Sequence, residues 1–401
     1  MTEHIPKPET SPPIDLLTKT IRLEALKLGF TKVGFSQIDQ IKKNSGLDSW
    51  LQQGHQGEMH WMARTAEKRQ NPNLVLEQAC SIISLGMNYY VSEKHSEDPM
   101  IGKISRYAWG EDYHQVLKKR LRKLANWIKE TIPSCQGLFY SDTGPVMDKV
   151  WAHKAGVGWI GKHSNLISRE QGSWLFLGEI LIDVPLTYDE QSNNYCGTCC
   201  KCIRACPTGA IVAPYVVDSR LCISYLTIEL RGVIPLDLRP LIGTRIFGCD
   251  DCQDVCPWNR FAQPTMESSF YPSEGNHVPQ LTKLIQLTKK EFNQHFRFSP
   301  VKRCGYSGFL RNVAVALGNS KDTLAIPYLE QALVHQESLV RIHTAWALGN
   351  IGGNKAKSIL THTSYLETDP LVRREIRLAL DAIASRFVGA VGEIHKQLPL
   401  Y

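Results

Sequence analysis

Cys196-x2-Cys199-x2-Cys202-x3-Cys206-Pro207 and Cys249-x2-Cys252-x3-Cys256-Pro257, with Cys222 between them, hold eight of the twelve cysteines of this 401-residue chain. A 4Fe-4S cluster takes four converging thiolates. In the bacterial double-cluster run the fourth cysteine, followed by proline, crosses to the other cluster. The repeated Cys-Pro endings carry that swap. The spacing assigns Cys196, Cys199, Cys202 and Cys256 to one cluster, and Cys249, Cys252, Cys206 and Cys222 to a second. Cys222 stands for the first cysteine of a second run that an insertion has stretched. A zinc site on Cys196, Cys199, Cys249 and Cys252 leaves the other four unexplained. Cys80, Cys135, Cys200 and Cys304 fall off register and read as small core residues or surface thiols.

The rest of the composition is that of an ordinary soluble protein, with 43% hydrophobic and 21% charged residues. No apolar stretch approaches membrane-spanning length, so no membrane role is expected. Met1 to Pro13 is polar and proline-rich, without the apolar core of an export signal. The expectation is a cytoplasmic protein with reduced thiols and a disordered tail over 1–13. A net charge of +7 permits a polyanionic partner without requiring one.

Outside the cysteine region the pattern changes twice. Ile14, Leu17, Ile21, Ala25 and Leu28 recur at helical spacing before Gly29, and Asp112 caps a helix carrying Val116, Leu117, Leu121, Leu124 and Ile128. Short apolar runs at 33–35, 80–85 and 137–140 read as strands. Trp174 to Asp183 reads as a longer strand pairing back on Asn165 to Ser168. Helices and strands alternate, so residues 14–192 read as an α/β domain, followed by a ferredoxin module over 193–262 and a connecting segment over 263–300.

From 301 to 388 the chain repeats itself. Arg311 to Asn319, Val340 to Asn350 and Val372 to Asp381 align on Leu317, Leu348 and Leu380, steps of 31 and 32 residues. Ile326-Pro-Tyr-Leu and Ala356 to Leu360 supply the partner helices of a short HEAT-like array, with a tail over 389–401. Residues 301–401 carry 12 Lys and Arg against 8 Asp and Glu. That basic surface suits a nucleic acid. Every cluster ligand lies upstream, so the array reads as separable from the cofactor module.

Two familiar motifs fail on context. Gly156-Val-Gly158-Trp-Ile-Gly161 matches the dinucleotide fingerprint, but a helix precedes it where a strand is needed. Ser141-Asp142-Thr143-Gly144 occurs once, whereas an aspartic protease needs two such carboxylates. Taken alone, Asp142 reads as a turn cap ahead of Pro145.

Ser105-Arg-Tyr-Ala-Trp-Gly-Glu-Asp-Tyr-His114, Asp142-Thr-Gly-Pro-Val146 and Ala155-Gly-Val-Gly-Trp-Ile-Gly-Lys-His163, set beside the cysteine runs and the repeats, resemble the epoxyqueuosine reductases over nearly the whole chain. The resemblance implies a multidomain α+β enzyme whose 14–192 domain binds cobalamin and is related to reductive dehalogenases. It implies two-electron removal of the epoxide oxygen from a modified wobble base in tRNA with a GUN anticodon, driven by an external low-potential electron donor. Asp142 would be the general acid and would also touch the cobalamin. Arg69, Ser105, Lys162, Leu166, Ser173, Leu177 and Ser219 would complete the cofactor pocket. Some relatives carry Cys where Ser105 stands. Asp112-Tyr-His114 begins a corrinoid-binding word but has Leu117 where that word has Gly, so His114 reads as a helix-start residue. Arg341, Arg373, Arg374 and Arg377 on the repeats are the expected tRNA contacts. A corrinoid reductive dehalogenase and a ferredoxin-type carrier with a docking repeat are the competing functions. The repeats argue against the first, and the large N-terminal domain against the second.

Overall fold

The computed structural model describes residues 13–39, 46–273 and 275–397, with side chains through 385. The tail expected over 1–13 lies, but for Pro13, outside the described residues. Four strands, β1 (Lys32–Gln37), β2 (Ser81–Asn88), β3 (Gly137–Tyr140) and β4 (Leu175–Ile182), form a sheet in the order β1-β2-β4-β3. Every neighbour pair is antiparallel, with Gly34 opposite Ser84 and Glu179 opposite both Ser84 and Tyr140. The α/β expectation for 14–192 is thereby corrected: the domain is α+β. Alternation of helix and strand along the chain misled because the connections return across the sheet rather than repeating one right-handed crossover.

β2 is central, and all eight of its residues are buried. Because side chains alternate across a sheet, Ile83, Leu85, Ile180 and Ile182 face α1 (Ile14–Lys27) and α2 (Tyr113–Thr131), meeting Leu17, Ile21, Leu117, Leu121 and Leu124. Ile82 and Leu181 face the other way, against Trp151 of α3 (Asp148–Lys154). Asp112 caps α2 by accepting from the His114 amide, as its position predicts. The strand expected to pair with 165–168 pairs instead with β2 and β3. Leu166–Ile167 pairs with Trp159–Ile160 in a separate hairpin, because an eight-residue apolar strand buries more surface in the sheet centre than on a two-residue partner.

Helices α4 (Tyr306–Ser320), α5 (Ile326–Ala332), α6 (Ser338–Ile351), α7 (Gly353–Leu366) and α8 (Pro370–Gln397) form the C-terminal array. α8 continues past residue 388, where the sequence reading ends the repeats. α4, α6 and α8 cross at glycines: a Cβ on Gly318 would lie 2.8 Å from Ala347 Cα, and one on Gly349 would lie 2.5 Å from Ala379 Cβ. The array is not separable. The stretch between Cys222 and Cys249 supplies Ile223, Leu226, Ile234, Ile242, Ile246 and Phe247 to the same core as Phe309, Val313, Trp346 and Ile376. Fully buried Arg311 donates to the carbonyls of Leu226, Leu230 and Gly232, and Asn312 to those of Thr227 and Ile246. Arg239 pairs with Glu375 at 2.8 Å. The insertion that stretches the second cysteine run is thus the platform on which the repeats sit.

Candidate active site

The acid loop starts at the end of β3. Asp142 has φ 56, a left-handed conformation that Asp tolerates better than most residues. Ser141 anchors the turn by donating to the Leu177 carbonyl at 3.0 Å. Gly144 completes it, since a Cβ there would strike the Tyr140 ring at 2.2 Å. The loop delivers the Asp142 carboxyl into a cavity of about 1060 Å³, at the top of the usual size range for ligand sites. Tyr113, the first residue of α2, donates its hydroxyl to Asp142 Oδ2 at 2.8 Å. Its ring stacks 4.2 Å from Phe176 and 4.0 Å from His114. Burial, then the charge of Asp142, holds the Tyr113 hydroxyl well above the ordinary phenol range, so it remains a donor. His114 Nε2 lies 3.9 Å from the same oxygen.

The same cavity is lined by Cys206, Cys222, Cys249 and Cys252. Short helices Lys201–Ala205 and Asp251–Asp254 pack against each other and bring the two cysteine runs together. Among the described residues no three His, Cys, Asp or Glu side chains stand close enough to hold a single metal ion. The thiols of the two runs lie close to one another. Burial first, then Cys196, Cys202 and Cys199, raises the Cys256 thiol; burial, then Cys222, Asp250, Cys202 and Cys206, raises that of Cys252. Cys256 therefore keeps company with the first run despite belonging in sequence to the second.

A family model described as epoxyqueuosine reductase QueG, DUF1730, matches residues 69–143; one described as 4Fe-4S double cluster binding domain matches 195–259, and one described as HEAT repeats matches 309–381. The epoxyqueuosine reductase of Escherichia coli (strain K12) is 43% identical over 344 residues, covering 84% of this chain and 91% of that protein. The chain belongs to the epoxyqueuosine reductase family. The epoxyqueuosine reductase of Synechocystis sp. is 46% identical over 292 residues, covering 72% of this chain and 100% of that protein. A crystal structure of epoxyqueuosine reductase with an epoxyqueuosine-modified tRNA-Tyr stem loop matches with a TM-score of 0.85 at 29% identity, covering 92% of this chain and 99% of that one. The Bacillus subtilis epoxyqueuosine reductase, described with its catalytic aspartate loop swung out of the active site, matches at 0.84 and 28% over the same shares.

Of the pocket residues that the resemblance to epoxyqueuosine reductases implies, Asp142, Ser105 and Ser219 line the cavity. Ser105 spends its hydroxyl on Asp250. The others stand behind the wall. Arg69 donates to the Val146 carbonyl at 3.1 Å, and its half-buried guanidinium is lowered by burial and supported by the charges of Asp148 and Asp142. Lys162 donates to the carbonyls of Gly197 and Cys199 and so secures the first cysteine loop. Ser173 is locked to Asn259 and Gln253, Leu166 packs on Ala152 and Val157, and Leu177 joins that cluster. On the repeats Arg373, Arg374 and Arg377 are exposed. Arg341 is not a free cation: its guanidinium grips Glu367 at 2.7 Å and the His335 carbonyl at 2.8 Å.

The sequence reading missed several residues of this epoxyqueuosine reductase family site. Tyr113 stood inside the quoted 105–114 segment, but nothing in a single tyrosine marks it as the partner of an acid 29 residues on. Lys149 lines the cavity and is tied to the Ser164 carbonyl at 2.9 Å. His163 also lines it; burial, then the Lys149 charge, pushes its pKa down to about 4, so the ring is neutral. Glu179, fully buried beside Asp148, had the signal of a lone charge in an apolar strand.

Proposed function

We propose that this chain converts epoxyqueuosine to queuosine at the tRNA wobble position, with Asp142 as general acid. The observation that carries the proposal is Asp142, held on a left-handed turn, sharing one cavity with four cysteines. The net reaction takes two electrons and two protons, opens the epoxide to an alkene and releases water. Asp142 would give the first proton to the oxygen leaving carbon. Tyr113 occupies Oδ2, which leaves Oδ1 to carry and aim that proton.

Two 4Fe-4S clusters would be held as the cysteine swap describes, supplying single electrons at low potential. Cobalamin suits the cavity's mixed lining of Met59, Met62, Tyr107, Leu175 and Ser219. Bound there it would supply a low-potential, carbon-reactive metal. Ser105, Ser219 and Asp142 would touch it. Arg69, Lys162, Leu166, Ser173 and Leu177 support the walls behind it. The chemistry needs the base out of its stack, so the anticodon loop would extrude the wobble base into the cavity, with Arg373, Arg374 and Arg377 facing phosphates. Among the described residues no helix is long and apolar enough to cross a membrane, and a tRNA substrate suits a cytoplasmic enzyme. Nucleoside mass spectrometry of tRNA from a strain lacking the gene tests the proposal: epoxyqueuosine should accumulate, and the gene should restore queuosine. Normal queuosine in the deletion strain would refute it.

A further inference from the structure

We infer that the aromatic and arginine-rich surface around Cys196 and Cys256 is the docking site of a small acidic one-electron carrier protein. This rests on the proposed function, in which electrons cross from one cysteine set to the other. Cys206, Cys222, Cys249 and Cys252 line the catalytic cavity, whereas Cys196, Cys199, Cys202 and Cys256 do not. Cys196 and Cys199 are instead half-exposed on the outer loop. Entry is therefore at this end.

The surface around that loop is built from the residues that flank the ligands. Tyr195 precedes Cys196, and Trp258 follows Cys256-Pro257. Trp258 meets Trp159 edge-on at 4.9 Å and Phe261 at 5.9 Å, while Tyr195 meets Trp159 at 5.1 Å. Tyr195 and Phe261 remain 39% and 40% exposed, large for aromatic rings beside a candidate redox centre. The Arg169 guanidinium lies 4.9 Å over Tyr195 and that of Arg260 lies 4.6 Å over Phe261. Neither they nor Lys201 and Arg204 enter an ion pair among the described residues. Segments 162–172, 193–204 and 254–264 hold five cations and two carboxylates, Glu170 and Asp254, and those carboxylates are taken by Lys32 and Arg106.

Free arginines with half-exposed aromatics around a redox centre suit a weak, electrostatically steered protein encounter. Single-stranded RNA would want open ring faces for stacking. Here the Trp159, Tyr195 and Trp258 rings meet at steep angles and cover one another. Each carrier gives one electron, so two reduced carriers are oxidised for each epoxide converted to alkene and water.

The test uses the full-length, iron-reconstituted protein and plant-type ferredoxin as the acidic probe. Arg169→Glu/Arg260→Glu should raise the Kd for oxidised ferredoxin about tenfold or more at low salt, and wild-type affinity should itself fall as salt rises. Iron content, tRNA affinity and dithionite-driven turnover should stay at wild-type levels, while ferredoxin-driven turnover falls. If the double reversal loses iron, Lys201→Gln/Arg204→Gln carries the same test. An unchanged ferredoxin Kd in both variants, or loss of tRNA affinity in place of ferredoxin affinity, overturns the docking site. A wild-type protein inactive even with dithionite would refute the proposed function instead, and the binding measurement would still decide the surface.

Discussion

The Tyr113 hydroxyl donates to Asp142 Oδ2 at 2.8 Å, joining the first residue of α2 to the acid at the end of β3. The tyrosine cannot rotate away, because its ring is stacked at an interplanar angle of 3° on Phe176. A side chain in a strained loop is thus aimed by one in a rigid helix. Asp142→Asn is nearly isosteric but cannot give up a proton, and loss of a general acid typically costs about 10²- to 10⁴-fold in rate. Tyr113→Phe keeps the acid but frees it to wander; one hydrogen bond to a neutral carboxyl is worth about 0.5 to 1.5 kcal/mol, so a rate loss of about two- to tenfold is expected with iron content unchanged. Single-turnover conversion followed by nucleoside mass spectrometry gives both numbers. Wild-type rates in Asp142→Asn would return that residue to a turn cap.

The cysteine swap predicts a pairing that chain order does not. Cys256→Ala should leave about four irons per chain in place of about eight and share the electron paramagnetic resonance signature of Cys199→Ala. Cys249→Ala should give the other signature. If Cys256→Ala instead matches Cys249→Ala, the runs do not exchange ligands.

Glu179 is fully buried and neither of its oxygens receives a hydrogen bond from an N–H or hydroxyl donor. Its polar neighbour is the Asp148 carboxyl. Burial first, then that carboxyl, holds Glu179 well above the usual range. Burial also pushes Asp148 up to about 6, against the opposing hydrogen bond from Glu179. A carboxyl whose pKa rises on folding takes up a proton as the chain folds. Its stabilising contribution is then complete below the unfolded value, about 4, and is lost as pH rises through the folded one. Relative to wild type, Glu179→Gln should therefore gain thermal stability between about pH 5 and pH 8. Identical pH profiles for the two proteins would show that the pair shares no proton.

How far the sequence reveals this molecule depends on whether a feature is periodic or folded together. The Asp112 cap and the 31- and 32-residue steps are local regularities, and each appears in the structure where the residues put it. Strand direction was not legible, because an apolar run such as 175–182 carries no mark of which neighbour it will meet. Arg341 and Arg373 look alike in sequence. Only the fold places Glu367 against the first. The role of the insertion after Cys222 was hidden for the same reason: its apolar residues are satisfied by helices of the array, far along the chain.

That docking makes Arg311 a structural keystone. Burial pushes its pKa down to about 10, still protonated at neutral pH. Its guanidinium serves three carbonyls and Asn312 Oδ1. Arg311→Met should orphan them at a cost of roughly 3 kcal/mol or more. Removing residues 301–401 should cost more, exposing Ile234, Ile242, Ile246 and Phe247. Both changes should therefore shed iron as well as lower the unfolding midpoint. Retention of full iron and stability by the truncated protein would make the array an independent module after all.

The exposed arginines of α8 give the last prediction. Val372, Ile376 and Ala379 turn one side of the helix into the core, leaving Arg373, Arg374 and Arg377 on the solvent side. If each meets a phosphate, neutralising it removes about 0.7 to 0.9 from the slope of log affinity against log salt. Arg373→Ala/Arg374→Ala/Arg377→Ala should accordingly weaken tRNA binding at low salt and flatten its salt dependence by about 2 to 3. Arg341→Ala should leave the slope alone and lower the unfolding temperature, since its charge is spent on Glu367 and its donors on the His335 and Gln336 carbonyls. Titrating a tRNA anticodon stem-loop at several salt concentrations separates the two effects. An unchanged slope in the triple variant would move the RNA surface off the repeats and toward the cavity rim, where Lys149 already stands beside Asp142.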